Sequence, residues 1–510
     1  MTDPLSPGEY RGLLLHALEG TVDADTRPPT PHTLYMPDAH RTALYVDSTV
    51  VLGDRGVGKT FWARSLLDAE LREAAADEYR ISRLRRLRVT GGYGMDMFSP
   101  HYPGPLVLPS LLDGGARPEE IWYAVLLTAL GQPELRATAD WAARIAWLRT
   151  HAPEAEATLA RADARAAAED EVQLLVFDGL EHLHRDWETR NRLIAELLRV
   201  ALRMRFGTRN IRLKVFLRHD MFEAAKQLFP DASKLSGNGA RLEWEHADLY
   251  GLLFHHLGNG AESEGDAIDA LEAADDSAAR FRHFTGGWDD PAPSGPLRYA
   301  PPHILRNEEK TQRPLFERIA GPYMGTNIRQ GRPYTWLPNH LMDSKGLISP
   351  RSFLKALHAA AATTAAAHSS HPYALHHDAI RSGVREASRV RVDQVSEDTP
   401  WVDLAIRPLA GCQVPISQGD VIRVWERDNL SARLREDAAH YTQADRPELV
   451  RTGPRHPDDF PRLVEELIDL GVLRRRDQGP ADKFSLLDLP DIYRLAFGLG
   501  RRGGIPLVGR

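Results

Sequence analysis

The strongest chemical signal in the chain is the run Gly53-Asp54-Arg55-Gly56-Val57-Gly58-Lys59-Thr60. Its glycine, lysine and hydroxyl spacing is that of a turn built to wrap a phosphate chain. Glycines let successive backbone N–H groups point inward and approach phosphate oxygens with no Cβ in the way. A helix starting at the end of the turn adds unpaired N-terminal donors and the positive end of its dipole. Lys59 would then reach the β- and γ-phosphates of a nucleotide, and the Thr60 hydroxyl would ligate Mg²⁺. Phe61 completes the expected binding segment. The plain alternative is a glycine-rich turn with an incidental lysine. The flanks, apolar before and helical after, speak against it.

A magnesium ion held by one hydroxyl, phosphate oxygens and water still requires a carboxylate. Leu174-Leu175-Val176-Phe177-Asp178 offers one at the tip of an apolar strand; otherwise Asp178 is a turn or cap residue. Glu181 is the nearest acid able to orient and deprotonate an attacking water, against the alternative of an exposed loop glutamate. His182 and His184 stand beside it, two ring ligands that alone make a weak metal signal. A further strand ends Phe216-Leu217-Arg218-His219-Asp220. Ligands of a parallel sheet gather at its C-terminal strand ends, so Arg218 and His219 are candidates to sense a γ-phosphate. The competing reading makes Asp220 a helix cap with both neighbours in solvent.

These residues need elements to position them. Residues 44–52 read as a buried strand. Trp62, Ala63, Leu66, Leu67 and Leu71 mark one face of a helix. Strands are expected at 87–90, ended by Gly91-Gly92, and at 172–177, 211–217 and 241–244. Helical patterns fill 118–170 and 191–205, while the Pro- and Gly-rich stretch 95–115 reads as an irregular loop. Strands separated by helices imply crossover units, hence an α/β core with a mainly parallel five-stranded sheet.

Before the core, a short helical pattern covers 10–18. After it, residues 261–277 hold seven acids and no base, as a solvated face does. A Pro/Gly-dense stretch, 286–302, links to a helical region whose Ala-rich end runs into His368-Ser369-Ser370-His371-Pro372. Near the C-terminus Leu463, Val464, Leu467 and Ile468 share a helix face stopped by Gly471. A hairpin at 472–476 and 483–487 and a helix at 490–499 follow, as in a winged-helix-like module. The expected organisation is a linker region 1–45, a P-loop core 46–260, a helical lid region with an acidic insert 261–371, and a helical and winged-helix-like domain 372–510.

Composition bounds the rest. At 510 residues the chain exceeds one hydrophobic core, and its 42% hydrophobic and 26% charged residues are ordinary for a globular protein. A net charge of -7 excludes a protein that coats nucleic acid through its overall field. The single cysteine, Cys412, excludes an internal disulfide framework and fits a reducing compartment. The start Met1-Thr2-Asp3-Pro4 carries no secretory pattern, and no apolar run is long enough to span a bilayer. The cytoplasm is the expected location, with no membrane partner.

The loop Gly53–Thr60, the acid pattern Asp178-Gly179-Leu180-Glu181 and the polar tip Arg218-His219-Asp220 resemble the additional-strand P-loop ATPases, in particular the STAND and origin-recognition-like branches of the AAA+ relatives. Leu242-Glu243-Trp244 followed by Asp248-Leu249 looks like the lead into their lid. Ser349-Pro350-Arg351-Ser352-Phe353-Leu354 is similar to a lid helix whose arginine acts as a sensor. The resemblance implies ATP with Mg²⁺, Glu181 polarising water, Lys59 assisting catalysis and Arg351 touching the γ-phosphate. No Asn/Thr-Lys-x-Asp segment for reading guanine follows the fourth strand, which agrees with ATP.

STAND members usually carry two acids where His182 takes the second place, so a slow switch is favoured over fast turnover. A protein partner or self-oligomer in a bacterial regulatory or antiviral defence system is implied with it. The alternative is an ATP-licensed DNA-binding protein of origin-recognition-like type. Residues 471–510 hold eight Arg or Lys against four Asp. Arg474, Arg475 and Arg476 on a winged-helix hairpin could meet DNA phosphates, although a charge run is also what a solvated face looks like. A phosphotransferase is a third class, disfavoured by the lack of a substrate-sized insert.

Overall fold

The structure, a computed structural model, describes residues 5–19, 28–94, 96, 98–184, 186–260, 268–290, 298–443, 453–476 and 486–502. The acidic residues 261–267, part of the expected linker (291–297) and most of the expected strand at 483–487 lie outside them. The chain divides into two compact units: one runs from Pro28 to Glu243, the other contains 5–19 and the described residues from Trp244 onward.

The first unit is built on five strands: β1 (Val50–Leu52), β2 (Leu87–Tyr93), β3 (Val172–Phe177), β4 (Ile211–Leu217) and β5 (Ala240–Arg241). Their order is β2-β3-β4-β1-β5, and every neighbouring pair runs parallel. β4 therefore lies between β1 and β3. Both β3 and β4 are buried along their whole length, as near-continuous apolar strands are when helices cover both faces. Leu193, Leu197 and Val200 of the helix Trp187–Gly207 join Leu175 and Leu213 in the same core, with Trp122 and Leu126 of the helix Pro118–Ala129.

Five local expectations change. Residues 44–52 are not one strand, because Asp38–Leu44 is a 3-10 helix and only Val50–Leu52 pairs in the sheet. The cause is remote. Lys214 on β4 is completely buried, and its ammonium donates to the carbonyls of Ala43 (2.6 Å), Tyr45 (3.0 Å) and Ser48 (2.8 Å). Those three carbonyls face one cation only if the chain bends there. Arg212, on the same face of β4, donates to Asp47 Oδ1 at 2.9 Å and fixes the other side of the bend. Replacing Lys214 with methionine is expected to destabilise this unit by about 3 kcal/mol or more, because three buried acceptors lose their donor. Urea unfolding followed by tryptophan fluorescence measures it.

β2 runs through Gly91-Gly92 rather than ending there. A Cβ at Gly92 would sit 2.3 Å from Phe177 Cζ, so this glycine admits the neighbouring ring instead of breaking the strand. The helix expected to run to Leu71 splits in two, Lys59–Leu67 and Ala69–Glu78, because the Asp68 side chain accepts from Leu71 N and caps the second piece. Residues 95–115 contain a short helix, Val107–Asp113. The fifth strand is Ala240–Arg241 rather than 241–244.

In the second unit the helix Pro7–Glu19 packs on the helices Ile268–Thr285 and Pro350–Ala367. Arg11 donates to the carbonyls of Ala374 (3.1 Å), Ser369 (3.4 Å) and Tyr373 (3.4 Å). Tyr250 stacks on Tyr334 with ring centroids 4.0 Å apart. Toward the C-terminus come β6 (Gln413–Val414), β7 (Ile416–Ser417), helices Gln418–Arg427, Leu430–Gln443 and Phe460–Asp469, then β8 (Arg474–Arg476) and β9 (Leu486–Asp488). The strands form an antiparallel sheet of order β7-β9-β8. Helices followed by a β8–β9 hairpin give the winged-helix-like order. The helix Asp491–Phe497 and β10 (Gly500–Arg501), parallel to β6, follow it. Gly471, at φ 79°, ends the helix before β8. Among the described residues no helix is long and apolar enough to cross a membrane.

Candidate functional site

The glycine-rich turn begins where β1 ends. Gly53 N donates to Leu217 O of β4 at 3.1 Å, which ties the turn to the neighbouring strand tip. A Cβ at Gly53 would lie 2.6 Å from Val57 Cγ2, so the turn closes on itself only with glycine there. Gly56 and Gly58 adopt φ of 78° and 102°, left-handed values that favour glycine. The helix Lys59–Leu67 starts directly after Gly58. Lys59 is buried, and its ammonium donates to Gly53 O and Asp54 O, both at 3.0 Å. Burial pulls this ammonium below its ordinary range, opposed by the charges of Glu181 and Asp178. Arg55 and Val57 lie within the same turn, and the Phe61 ring meets Trp62 edge to face, with centroids 5.9 Å apart.

Asp178 follows β3 directly, and its N–H donates to Tyr93 O of β2 at 3.1 Å. Burial pushes its carboxyl above the usual range; a hydrogen bond with the Thr60 side chain acts the other way, and the Glu181 charge adds to the rise. Thr60 and Asp178 are thus in direct contact. Gly179, at φ 67°, turns the chain into the short 3-10 helix Leu180–His182 that carries Glu181. Burial alone would raise the Glu181 carboxyl too, but Lys59 and further groups, including His182 and Arg218, outweigh it and hold it below the ordinary value. Two neighbouring carboxyls are thus driven in opposite directions, a pattern of groups with different tasks. A hydroxyl touching a buried carboxylate, with a second acid nearby, is the hard oxygen donor set that suits Mg²⁺.

Arg218 stands at the tip of β4 and forms a bidentate pair with Asp220, Nε to Oδ1 and Nη2 to Oδ2, both at 3.0 Å. Its charge reaches both Lys59 and Glu181. His219 opens the helix His219–Lys226. Lys59, Thr60, Asp178, Glu181 and Arg218 therefore form one interacting group at the ends of three adjacent strands. Arg351 belongs to the second unit, in the first turn of the helix Pro350–Ala367, where the Ser349 side chain caps that turn.

The basic hairpin differs from its expected exposed character. Arg474 Nη2 donates to Asp488 Oδ2 at 2.8 Å, and Asp488 is completely buried. Arg475 pairs with Glu465 and donates to Gln418 Oε1 at 3.1 Å. Arg501 Nη1 sits 3.0 Å from Asp488 Oδ1. Most of this positive charge is balanced inside the module, and Arg476 is the member of the triplet without such a partner among the described residues.

Sequence reasoning missed one residue that positions the phosphate turn. His40 is completely buried: its Nδ1 accepts from Trp62 Nε1 at 3.0 Å, so its Nε2 carries the proton and donates to Glu243 O, also at 3.0 Å. The ring joins the phosphate-turn helix to the segment after β5. Burial pushes it down to about 4, against the Glu243 hydrogen bond. The unfolded chain takes up this proton near pH 6.5, whereas the folded unit resists until about 4. Stability from this group is therefore complete above pH 6.5 and falls as pH drops toward 4, by about 3 kcal/mol in all. Urea titrations across that range measure the loss, which His40→Phe should flatten.

No family model matches the chain, and no curated protein matches it. Among solved structures it is similar to the Aeropyrum pernix ORC2 protein in its ADPNP–ADP complexes, at 14% identity over 93% of this chain and 95% of that one, with a TM-score of 0.41. It is also similar to the Aeropyrum pernix ORC1 protein in complex with DNA, at 14% identity, 91% of each chain and a TM-score of 0.33. Strand order, the geometry of the glycine-rich turn and the residues gathered around it give the chain the fold of a P-loop nucleotide-binding core.

Proposed function

We propose that this chain binds ATP with Mg²⁺ at Gly53–Thr60, hydrolyses it slowly, and uses the nucleotide state to switch its engagement of a partner. The observation that carries the reading is the single interacting group made by Lys59, Thr60, Asp178, Glu181 and Arg218. Backbone N–H groups of residues 53–60 and the start of the following helix hold the phosphates. Thr60 and Asp178 hold Mg²⁺, which neutralises charge on the β- and γ-phosphates. Glu181 orients the attacking water. Arg218 and His219 sense the γ-phosphate from the tip of β4. A ligand switches a protein only through unequal affinity for two states, and a sensor arginine that exchanges Asp220 for a γ-phosphate supplies such a difference.

The order of strands and helices in the C-terminal module favours a second reading, ATP-licensed DNA binding. With Arg474 and Arg475 engaged internally, its phosphate contacts must come from Arg476 and residues beyond the hairpin core. One experiment separates the two readings: fluorescent ATP and GTP titrations with and without Mg²⁺, repeated with duplex DNA at low and moderate salt. Both readings require Mg²⁺-dependent ATP binding at least about tenfold tighter than GTP binding, because a purine-reading pocket discriminates by unmade hydrogen bonds. DNA affinity that rises with ATP and falls steeply with salt selects the second. No DNA affinity at low salt leaves the switch. No Mg²⁺-dependent triphosphate affinity sinks both.

A further inference from the structure

The second unit carries a histidine cluster that the nucleotide chemistry does not use. His368 is the residue after the helix Pro350–Ala367, and His376 is the residue before the helix His377–Asp398. The turn between them returns the chain so that the His368 and His376 rings stack with centroids 3.8 Å apart. His371 meets His376 at 4.6 Å, and His377 meets it at 4.1 Å. Asp378 adds a carboxylate, with Oδ2 lying 3.7 Å from His377 Nε2. Ligand atoms of His376, His377 and Asp378 all lie within 4.8 Å of one another.

Neutral imidazole is the form that ligates metal. The His376 Nδ1 accepts the Asp378 N–H at 3.1 Å, so that nitrogen already presents a lone pair.

We propose that this turn is a binding site for a divalent transition-metal ion of the zinc class. His376, His377 and Asp378 are three ligands, and His368 or His371 is the fourth. Three imidazoles and one carboxylate form a borderline-soft set that suits Zn²⁺ over Mg²⁺ or Ca²⁺. Tetrahedral ligands about 2.1 Å from an ion stand roughly 3.4 Å apart, so loading draws the side chains inward and takes His376 Nδ1 from one N-cap hydrogen bond.

The turn is otherwise built in advance. Arg11 holds the carbonyls of Ser369, Tyr373 and Ala374. His376 N donates to Thr364 Oγ1 at 3.0 Å. Arg381 fixes Asp378 Oδ1 at 2.5 Å and leaves Oδ2 toward the histidines. The two guanidinium groups oppose a cation, and only Asp378 offsets them, so neutral ligands do most of the holding. The ion would clamp the end of one long helix to the start of the next.

The test uses the full chain without an affinity tag. Zn²⁺ is titrated calorimetrically, and Co²⁺ is added to record its ligand-field spectrum. Wild type is expected to bind one Zn²⁺, to give the intense visible bands of tetrahedral Co²⁺, and to melt at higher temperature with Zn²⁺. His376→Ala/His377→Ala should weaken binding by roughly 100-fold and lose both the bands and the melting shift. Circular dichroism establishes that this variant folds, and Asp378→Asn, which keeps the side-chain size, is the milder second probe. His151→Ala, remote in sequence and in the other unit, should change nothing. Equal Zn²⁺ affinity in wild type and the double variant, or octahedral Co²⁺ bands only, overturns the site.

Discussion

Replacing Glu181 with glutamine is expected to slow ATP hydrolysis by roughly 10²- to 10⁴-fold while leaving ATP affinity within a few-fold. The amide keeps the size of the side chain but loses the charge that orients and polarises water. Wild-type Glu181 is held below the ordinary carboxylate range: burial is the largest single influence and raises it, but the charges of Lys59, His182 and Arg218 together with a backbone hydrogen bond outweigh it. It therefore stays ionised throughout the neutral range, and its contribution to the rate should be flat from pH 6 to 8, lost only as pH falls through its lowered value. A carboxylate so stabilised is a weak proton acceptor. Its main task is then positioning, which suffices where the transition state is loose and little deprotonation is required. Single-turnover hydrolysis beside an independent binding titration makes the measurement. A variant that turns over at the wild-type rate removes Glu181 from the site.

The second large effect falls on binding. Lys59→Ala is expected to weaken Mg²⁺·ATP affinity by about 10²- to 10³-fold, the scale of losing a buried charge-assisted contact. Lys59 is buried at the mouth of a turn whose Gly53 and Asp54 carbonyls accept its protons. Alanine removes both the charge that faces the phosphates and the link that closes the turn. Lys59→Arg is a useful control, because a planar fork cannot reproduce a point charge in that space, and it should recover little. Unchanged affinity in Lys59→Ala would mean that phosphates bind elsewhere.

The glycine-rich turn was readable because its residue types answer to local geometry: glycine where the backbone is left-handed, and a lysine whose ammonium donates to the Gly53 and Asp54 carbonyls. β3 and β4 were readable because strands buried on both faces are mostly apolar, as Leu174 to Phe177 and Val215 to Leu217 are. What escaped was set by distant partners. Nothing in residues 44–48 announces that Lys214 will gather three of their carbonyls, although a lysine inside Ile211-Arg212-Leu213-Lys214-Val215 is itself an oddity worth weighing. Gly92 carries the same letter as a strand breaker, and only the Phe177 ring distinguishes the two roles. The split at Asp68 was legible in principle, since aspartate three residues before Leu71 is a capping signal. The basic triplet misled for the opposite reason: charge read along a chain says nothing of the acid that folding places beside it, and Asp488 is that acid.

The clasp made by Arg11 has a consequence for biosynthesis. Its acceptor in Ala374 lies 363 residues further along. At about 5–20 residues per second, a ribosome needs roughly 20–70 s to deliver it. Until Ile268–Thr285 and then Pro350–Ala367 emerge, the apolar side of Pro7–Glu19, with Tyr10, Leu13 and Leu14, lacks the helices it packs on. The whole nucleotide core is translated meanwhile. Nascent chains are therefore expected to hold this helix as an exposed, chaperone-recruiting segment, and arrest before residue 268 should yield a folded core trailing a sticky leader.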